Sequence, residues 1–212
     1  MIVYGSSLSP FVRKLLAVAA EKGLSLELKP TAPNSTDPEF REASPFGKIP
    51  GFRDGDFAIS DSTAIIAYLE ALQPEPAMIP REPKLRARTI WFDEFADTIL
   101  TPALARMFFN RVLSPKFFGR PGDLEAADKA EHEEVPPLMV YLEGVIPASG
   151  YLVDDRLTLA DLAVASPFVN AEHAGFRVDA KAFPKTAAYV AALHARPSFA
   201  THIAAEKTML GG

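Results

Sequence analysis

The sequence predicts an α/β domain followed by an all-helical domain, and three observations lead to that fold class. Residues 1–73 switch repeatedly between the alternating apolar spacing of strands and the wider apolar spacing of helices. Residues 73–83 contain four prolines, a composition that cannot continue a helix and makes a stiff linker. Nearly every later segment has helical spacing. We therefore place one domain at residues 1–76 and a second at residues 84–212.

The first domain is predicted to run strand, helix, strand, weak helix, strand, strand, helix. Gly23 is suited to end the first helix, and strict apolar alternation over residues 24–29 predicts the second strand. Asp54 followed by Gly55 indicates a hairpin turn between the last two strands. The predicted elements are residues 2–4, 10–21, 24–29, 34–44, 49–52, 57–59 and 62–72.

The helices predicted in the second domain are residues 84–112, 124–146, 159–171 and 183–195, with a shorter segment from residue 198. Pro102, Pro136 and Pro137 lie inside two of these patterns and are expected to kink or break them. Thr158 and Asp161 have the spacing of a capping box, so a helix is expected to begin there. We favour this structural role for Asp161 over a catalytic one.

The composition of the 212-residue chain argues against several classes of partner. Its net charge is −5 and no run of Lys and Arg exceeds two residues, so no nucleic-acid partner is expected. The longest apolar runs are far shorter than the roughly 20 residues that span a bilayer, so no membrane partner is expected. The short apolar run after Arg13 and Lys14 lacks a signal-peptide cleavage site, and we expect a cytoplasmic protein.

The chain contains no cysteine, which excludes disulfides, thiolate metal sites and redox cycling through a protein thiol. The histidines lack the spacing of a matched pair of metal ligands, so no metal cofactor is expected. The four histidines are His132, His173, His194 and His202.

Ser9 stands directly before Pro10, and proline is favoured at the first position of a helix. One interpretation is that Ser9 simply caps the helix that follows. The other is that its hydroxyl binds a thiolate, because backbone N–H groups and the helix dipole favour negative charge at that end. The two roles are compatible, since a hydroxyl can accept from the backbone while it donates to a ligand.

Two further segments have the chemistry of a peptide-binding site. If Pro50 is cis, the turn would expose the backbone N–H and C=O of Ile49 to an extended peptide. Asp61 and Ser62 open the last helix of the first domain, where they suit an ammonium group and a carboxylate respectively. An ordinary loop proline and ordinary helix caps are the alternative interpretations.

The chain resembles the cytosolic glutathione S-transferase family over essentially its whole length. Three segments look like the glutathione-site motifs of that family, in the same order, and a fourth looks like the capping motif of its C-terminal domain. These segments are Ser9-Pro10-Phe11-Val12-Arg13, Gly47-Lys48-Ile49-Pro50, Asp61-Ser62-Thr63-Ala64-Ile65 and Thr158-Leu159-Ala160-Asp161-Leu162.

The resemblance implies a glutathione S-transferase fold with a thioredoxin-like first domain, and usually a homodimer. It implies that glutathione is the co-substrate, that Pro50 is cis, and that Ser9 stabilises the sulfur as in a serine-type, bacterial-like class. Lys48 is a candidate partner of the glycyl carboxylate. The alternatives to Ser9 as the sulfur partner are Tyr4, Ser6 and Ser7.

Two departures from the family pattern bear on the expected chemistry. The family commonly has Glu where this chain has Asp61, which is one methylene shorter. The cysteine-bearing classes are excluded, so thiol-transfer chemistry is not expected.

The electrophile pocket is expected between the two domains, with the helical domain supplying most of it. Its candidate residues are apolar, and each could equally be a plain core residue. The candidates are Leu8, Phe11, Trp91, Phe95, Met107 and Phe108.

The main functional hypothesis is a transferase that conjugates the glutathione thiolate to an apolar, small-molecule electrophile in detoxification. Residues 49 and 50 would hold the peptide, Asp61 and Ser62 its γ-glutamyl end, and Ser9 the sulfur. One alternative is a non-catalytic relative that acts as a ligand carrier or regulatory interaction module. Another is a glutathione-dependent isomerase or dehalogenase.

Overall fold

The computed structural model describes residues 1–211 and divides into two compact units, one spanning Met1–Ile79 and the other beginning at Pro80. The first unit combines a four-stranded sheet with three helices, and the second is helical. No helix within residues 1–211 is long and apolar enough to cross a bilayer.

The sheet of the first unit is mixed, with the strand order β2-β1-β3-β4. Strand β1 pairs with β2 in parallel, whereas β3 runs antiparallel to both β1 and β4. This arrangement confirms the predicted thioredoxin-like α/β domain. The elements are β1 (Ile2–Gly5), α1 (Pro10–Glu21), β2 (Glu27–Pro30), α2 (Pro38–Ala43), β3 (Gly51–Asp54), β4 (Phe57–Ser60) and α3 (Ser62–Leu72).

The strand register brings three loops to one edge of the sheet. Tyr4 in β1 pairs with Gly51 in β3, and Gly51 also pairs with Ser60 in β4. Because β3 is antiparallel to its neighbours, the start of β3 lies beside the ends of β1 and β4. The segments that follow β1, precede β3 and follow β4 therefore meet at the same edge.

Helix α1 ends as predicted at a glycine, but the strand that follows begins later than predicted. Gly23 has a φ of +69°, and the N–H of Leu24 donates to the C=O of Ala19 at 2.8 Å. These contacts close the helix in a Schellman arrangement. Since that closure uses the Leu24 N–H, β2 starts at Glu27 instead of residue 24.

The proline-rich segment is held by a buried ion pair. The Lys22 ammonium group lies 2.8 Å from a Glu70 carboxylate oxygen and donates to the C=O of Pro76 at 2.9 Å. The same carboxylate accepts from the N–H groups of Met78 and Ile79. The stretch after α3 is thus a fixed part of the first unit.

The second unit contains eight α-helical segments within the described residues, several of them joined end to end. Three wider turns, at Ala96–Leu100, Phe109–Leu113 and Ala130–Glu134, continue the helical path between neighbouring segments. The segments are α4 (Pro83–Phe95), α5 (Thr101–Phe108), α6 (Ser114–Phe117), α7 (Leu124–Lys129), α8 (Val135–Val145), α9 (Leu159–His173), α10 (Pro184–His194) and α11 (Pro197–Met209).

Two of the wider turns directly precede the internal prolines, so the regular α-helix is interrupted there, while the helical path continues. The Thr101 N–H donates to Ala96 five residues back, and Pro102 follows immediately in the first turn of α5. Pro136 and Pro137 likewise follow the turn that ends at Glu134. Proline lacks an N–H and is tolerated in the first turn of a helix, so the helical path continues past each one.

Helix α9 is the centre of the second unit, because residues 159–171 are all buried. The predicted capping box at its start is confirmed. The Asp161 carboxylate accepts from the Thr158 N–H at 2.9 Å, from the Leu152 N–H at 2.8 Å and from the Tyr189 hydroxyl at 3.2 Å. Burial raises the pKa of Asp161 to about 6, despite these hydrogen bonds.

Candidate active site

The three segments that carry the candidate residues meet at the sheet edge described above. Ser9 follows β1 and opens α1, Pro50 immediately precedes β3, and Asp61 separates β4 from α3. The N-termini of α1 and α3 therefore both lie at this edge, and each presents the positive end of a helix dipole.

Ser9 caps α1 loosely and leaves its hydroxyl hydrogen unused. Its Oγ accepts from the Val12 N–H at 3.5 Å, a long contact, while its own N–H donates to the C=O of Ser6 at 2.9 Å. Within residues 1–211 the Ser9 hydroxyl has no acceptor. The side chain is partly exposed, so this O–H can donate to a ligand at the positive end of α1.

The other candidate sulfur partners are less well placed. The Tyr4 side chain is fully buried against Phe40, and its hydroxyl donates to a Glu39 carboxylate oxygen at 3.3 Å. The Ser6 hydroxyl accepts from the Leu8 N–H at 3.3 Å. Ser7 is buried. Burial argues against Tyr4 and Ser7, whereas Ser6 is partly exposed like Ser9. Ser9 is favoured over Ser6 because it lies at the N-terminus of α1, the positive end of the helix dipole.

Gly5, which the sequence analysis did not identify, allows close packing of the backbone beside the site. A Cβ at this position would lie 2.7 Å from a Val12 methyl carbon and 3.5 Å from the Ile49 Cβ. Only glycine therefore lets the end of β1 pack this closely against α1 and the Ile49 loop. Its place directly before the Ser6–Ser9 turn is the sequence signal that could have identified it.

The Ile49–Pro50 peptide bond is cis, as the resemblance implied. Neither the N–H nor the C=O of Ile49 makes a hydrogen bond within residues 1–211, so both are available to a peptide. The preceding loop is fixed, since the Ser44 hydroxyl donates to the C=O of Lys48 at 2.6 Å and the Asn34 N–H donates to the C=O of Gly47 at 2.8 Å. The Lys48 side chain is exposed.

Asp61 adopts an unusual backbone conformation for a residue other than glycine, with φ of +83° and ψ of 124°. Its carboxylate accepts from the Ala64 N–H at 3.0 Å, which caps α3. The neighbouring Ser62 is buried, and its hydroxyl makes no hydrogen bond to any described residue. Such backbone strain is found preferentially at ligand-binding sites.

The aromatic candidates do not form one cluster. Trp91 and Phe95 stack, with ring centroids 5.6 Å apart and planes 8° apart, and Tyr141 lies 5.3 Å from Phe95. Trp91 is 48% exposed, whereas Phe95 is buried. Phe108 is also buried, and its ring lies beside His173 instead, at 6.2 Å.

Phe11 is partly exposed in the first turn of α1, close in sequence to Ser9.

Within residues 1–211 no group of three or more His, Asp or Glu side chains is arranged to hold a metal ion.

Comparison with known proteins decides the family. The N-terminal domain of glutathione S-transferases matches residues 3–77, and the C-terminal domain of glutathione S-transferases matches residues 111–206. The sequence is 32% identical to glutathione S-transferase 4 of Zea mays over 206 residues, which cover 92% of this chain and 88% of that protein. The chain belongs to the glutathione S-transferase family.

Solved structures of glutathione S-transferases have the same fold. A glutathione S-transferase from Rhodospirillum rubrum superposes with a TM-score of 0.85 at 26% identity, over 93% of this chain and 89% of that one. Glutathione S-transferase-I bound with lactoylglutathione gives a TM-score of 0.84 at 25% identity, over 96% of this chain and 98% of that one. The predicted glutathione S-transferase fold is therefore confirmed.

Proposed function

We propose that this glutathione transferase binds glutathione along the sheet edge and uses the Ser9 hydroxyl to stabilise its thiolate. The observation that carries the proposal is the unused O–H of Ser9 at the N-terminus of α1. It lies at the same sheet edge as the free peptide groups of Ile49 and the cap of α3.

The proposed chemistry depends on lowering the pKa of the glutathione thiol. A free thiol has a pKa near 8.5, so only a few per cent is thiolate at neutral pH. A hydrogen bond to a charged group contributes about 1.5–3 kcal/mol, which lowers that pKa by roughly one to two units. The thiol proton goes to solvent. The thiolate then forms a carbon–sulfur bond as the leaving group departs, or adds to an activated double bond.

The remaining groups at this edge suit the rest of a γ-glutamyl tripeptide. The N–H and C=O of Ile49 would pair with the peptide as an added strand. The Ser62 hydroxyl, at the positive end of the α3 dipole, would bind the α-carboxylate, and Asp61 would bind the α-ammonium group. Lys48 would reach the glycyl carboxylate. Pro50 holds the turn that presents Ile49.

For the apolar electrophile we propose contact with Phe11, Trp91, Phe95 and Phe108. Trp91 contributes the most accessible of these rings, because about half of its side chain is exposed. Phe95 is buried and supports the Trp91 ring by stacking on it. The burial of Phe108 makes it the smallest contributor.

We also propose that the enzyme is a cytoplasmic homodimer with a role in detoxification. Phe46, in the loop before β3, is 85% exposed, which is a large apolar surface for a side chain facing water. Sedimentation velocity on wild type and Phe46→Ser tests the dimer. A monomeric wild type at micromolar concentration would overturn it.

The catalytic proposal is tested with Ser9→Ala, using glutathione and a chlorodinitrobenzene-type electrophile. Turnover is expected to fall about 10- to 100-fold, since the variant lacks one hydrogen bond to the thiolate. Ser9→Thr keeps a hydroxyl and should recover part of the rate. Asp123→Ala removes the carboxylate that caps α7, an unrelated helix, and should leave turnover unchanged.

Calorimetry with glutathione separates this function from that of a non-catalytic ligand carrier or interaction module. Wild type and Ser9→Ala should bind glutathione with similar affinity, because Ile49, Asp61 and Ser62 hold most of the peptide. Absence of binding at millimolar glutathione would favour the non-catalytic alternative. Glutathione binding without net glutathione consumption would favour an isomerase or dehalogenase.

A further inference from the structure

A cleft of about 310 Å³ lies within the second unit, lined by residues of α6, the end of α9 and the loop after it, and α11 and the residues after it. None of its residues belongs to the sheet-edge site. Three of them are cationic (Lys116, Arg177 and Lys207) and one, Glu172, is a carboxylate. The cleft therefore has an excess of positive charge, although the chain as a whole is acidic.

Two of the three cations are held by backbone carbonyls, and all three retain free donors. Arg177 Nη1 donates to the C=O of Glu172 at 2.8 Å and to that of Phe176 at 2.7 Å, which fixes the guanidinium plane. Its Nε and Nη2 have no acceptor within residues 1–211. The Lys116 ammonium group donates to the C=O of Leu210, which uses one of its three N–H bonds. The Lys207 ammonium group contacts no acceptor among the described residues.

The carboxylate in the cleft offsets one of its three positive charges and lies next to a histidine that does not line the cleft. Glu172 Oε1 lies 3.2 Å from His194 Nδ1. Burial by itself would raise the pKa of Glu172, but His194 and the nearby charges of Arg177 and His173 outweigh burial and lower it. Glu172 Oε2 has no hydrogen-bond partner within residues 1–211, so it can accept from a ligand.

We propose that this cleft binds a small phosphorylated metabolite that carries hydroxyl groups, such as a sugar phosphate. Lys116, Arg177 and Lys207 donate to the phosphate, whose several oxygens can accept from more than one donor. Glu172 Oε2 accepts from a ligand hydroxyl. The volume is at the lower end for small-molecule sites, which fits a ligand of this size.

Calorimetry at constant ionic strength tests the proposal with ribose 5-phosphate, inorganic phosphate and ribose. Ribose 5-phosphate is expected to bind most tightly, inorganic phosphate more weakly and ribose not at all. Lys207→Ala should weaken ribose 5-phosphate about tenfold, since it removes one charged contact. Glu172→Gln removes a negative charge beside the cations, so it should strengthen binding of inorganic phosphate. Ribose 5-phosphate should gain less, because its hydroxyl loses the carboxylate acceptor.

Matched variants separate a real site from general charge effects. Lys129→Ala removes an exposed cation of α7 that is not among the residues lining the cleft, and should leave the ribose 5-phosphate affinity unchanged. Lys207→Ala should retain wild-type thermal stability and glutathione turnover. A failure of the proposed phosphate site would therefore leave the catalytic proposal untouched. No saturable ribose 5-phosphate binding up to about 10 mM would overturn the site. Equal binding of both phosphates, unaffected by Lys207→Ala, would indicate an adventitious ion only and would also overturn it.

Discussion

The N-termini of α1 and α9 are both closed by a hydroxyl residue, but their polar groups are satisfied to very different degrees. At α9, Thr158 and Asp161 are fully buried, and the Asp161 carboxylate accepts from backbone and side-chain donors at 2.8–3.2 Å. At α1, Ser9 is partly exposed, makes one long contact of 3.5 Å and has a free O–H. A cap with unused donors at an accessible helix end is a candidate ligand group, whereas a saturated buried cap is structural.

The N-terminus of α3 combines features of the N-termini of α1 and α9. Asp61 makes a good capping hydrogen bond to Ala64, yet its backbone has a φ of +83° and the adjacent Ser62 hydroxyl is unpaired. Backbone strain of this kind costs on the order of 1–3 kcal/mol. The first unit thus holds at its sheet edge polar groups that would be better satisfied with a ligand present.

The largest loss of stability is expected from removing the saturated cap of α9. Asp161→Ala leaves the buried N–H groups of Leu152 and Thr158, and the Tyr189 hydroxyl, without their acceptor. We expect the free energy of unfolding to fall by about 3–5 kcal/mol, measured by urea denaturation. Asp123→Ala, which removes an exposed cap, should cost about 1 kcal/mol. A loss of unfolding free energy smaller than that of Asp123→Ala would contradict a structural role for Asp161.

A smaller change in the free energy of unfolding is expected when the pH is varied. The folded-state pKa of Asp161 is about 6, above its ordinary value of 3.8, so protonation favours the folded state. Stability from this group is fully present below about pH 4 and is lost as the pH rises to about 6, by roughly 2–3 kcal/mol.

Urea denaturation between pH 4 and pH 6 measures this dependence. Glu143 and Glu172 have lowered pKa values, so they act in the opposite direction at the acidic end of the range. For that reason the decisive quantity is the difference between wild type and Asp161→Asn. Identical slopes for the two proteins would show that Asp161 does not titrate in this window.

The smallest effect on stability is expected at Ser9. Ser9→Ala should lower the free energy of unfolding by less than about 1 kcal/mol, because the contact to Val12 is long and partly exposed. A loss comparable to that of Asp161→Ala would mean that Ser9 is chiefly a structural cap. Thermal denaturation of both variants under the same conditions makes the comparison.

Local sequence signals were sufficient to predict helix bounds where the signal acts within one turn of the helix. The bounds of α1 and α3 were predicted because Ser9-Pro10 and Asp61-Ser62 mark their starts. Signals that depend on more distant groups were insufficient. The start of β2 was misplaced because the Leu24 N–H closes α1. The wider turns before Pro102 and Pro136 were not predicted, because they depend on which backbone groups pair along the helix.

The difference between the two caps could not be predicted from the sequence. Both Ser9 and Thr158 are hydroxyl residues at helix starts, and only tertiary structure brings Tyr189 to Asp161 while leaving Ser9 without an acceptor. The role of Gly5 depends on Ile49, 44 residues later in the chain. In contrast, the order of the three loop motifs indicated the site itself, because the register of β1, β3 and β4 brings them to one edge.

The most direct test of the central claim is the pKa of the thiol in bound glutathione, measured by ultraviolet absorbance of the thiolate. In the wild-type complex we expect a value about one to two units below the free reference near 8.5. In Ser9→Ala it should return to within about half a unit of that reference. Equal, lowered values in the two proteins would contradict the assignment of Ser9 as the group that stabilises the thiolate.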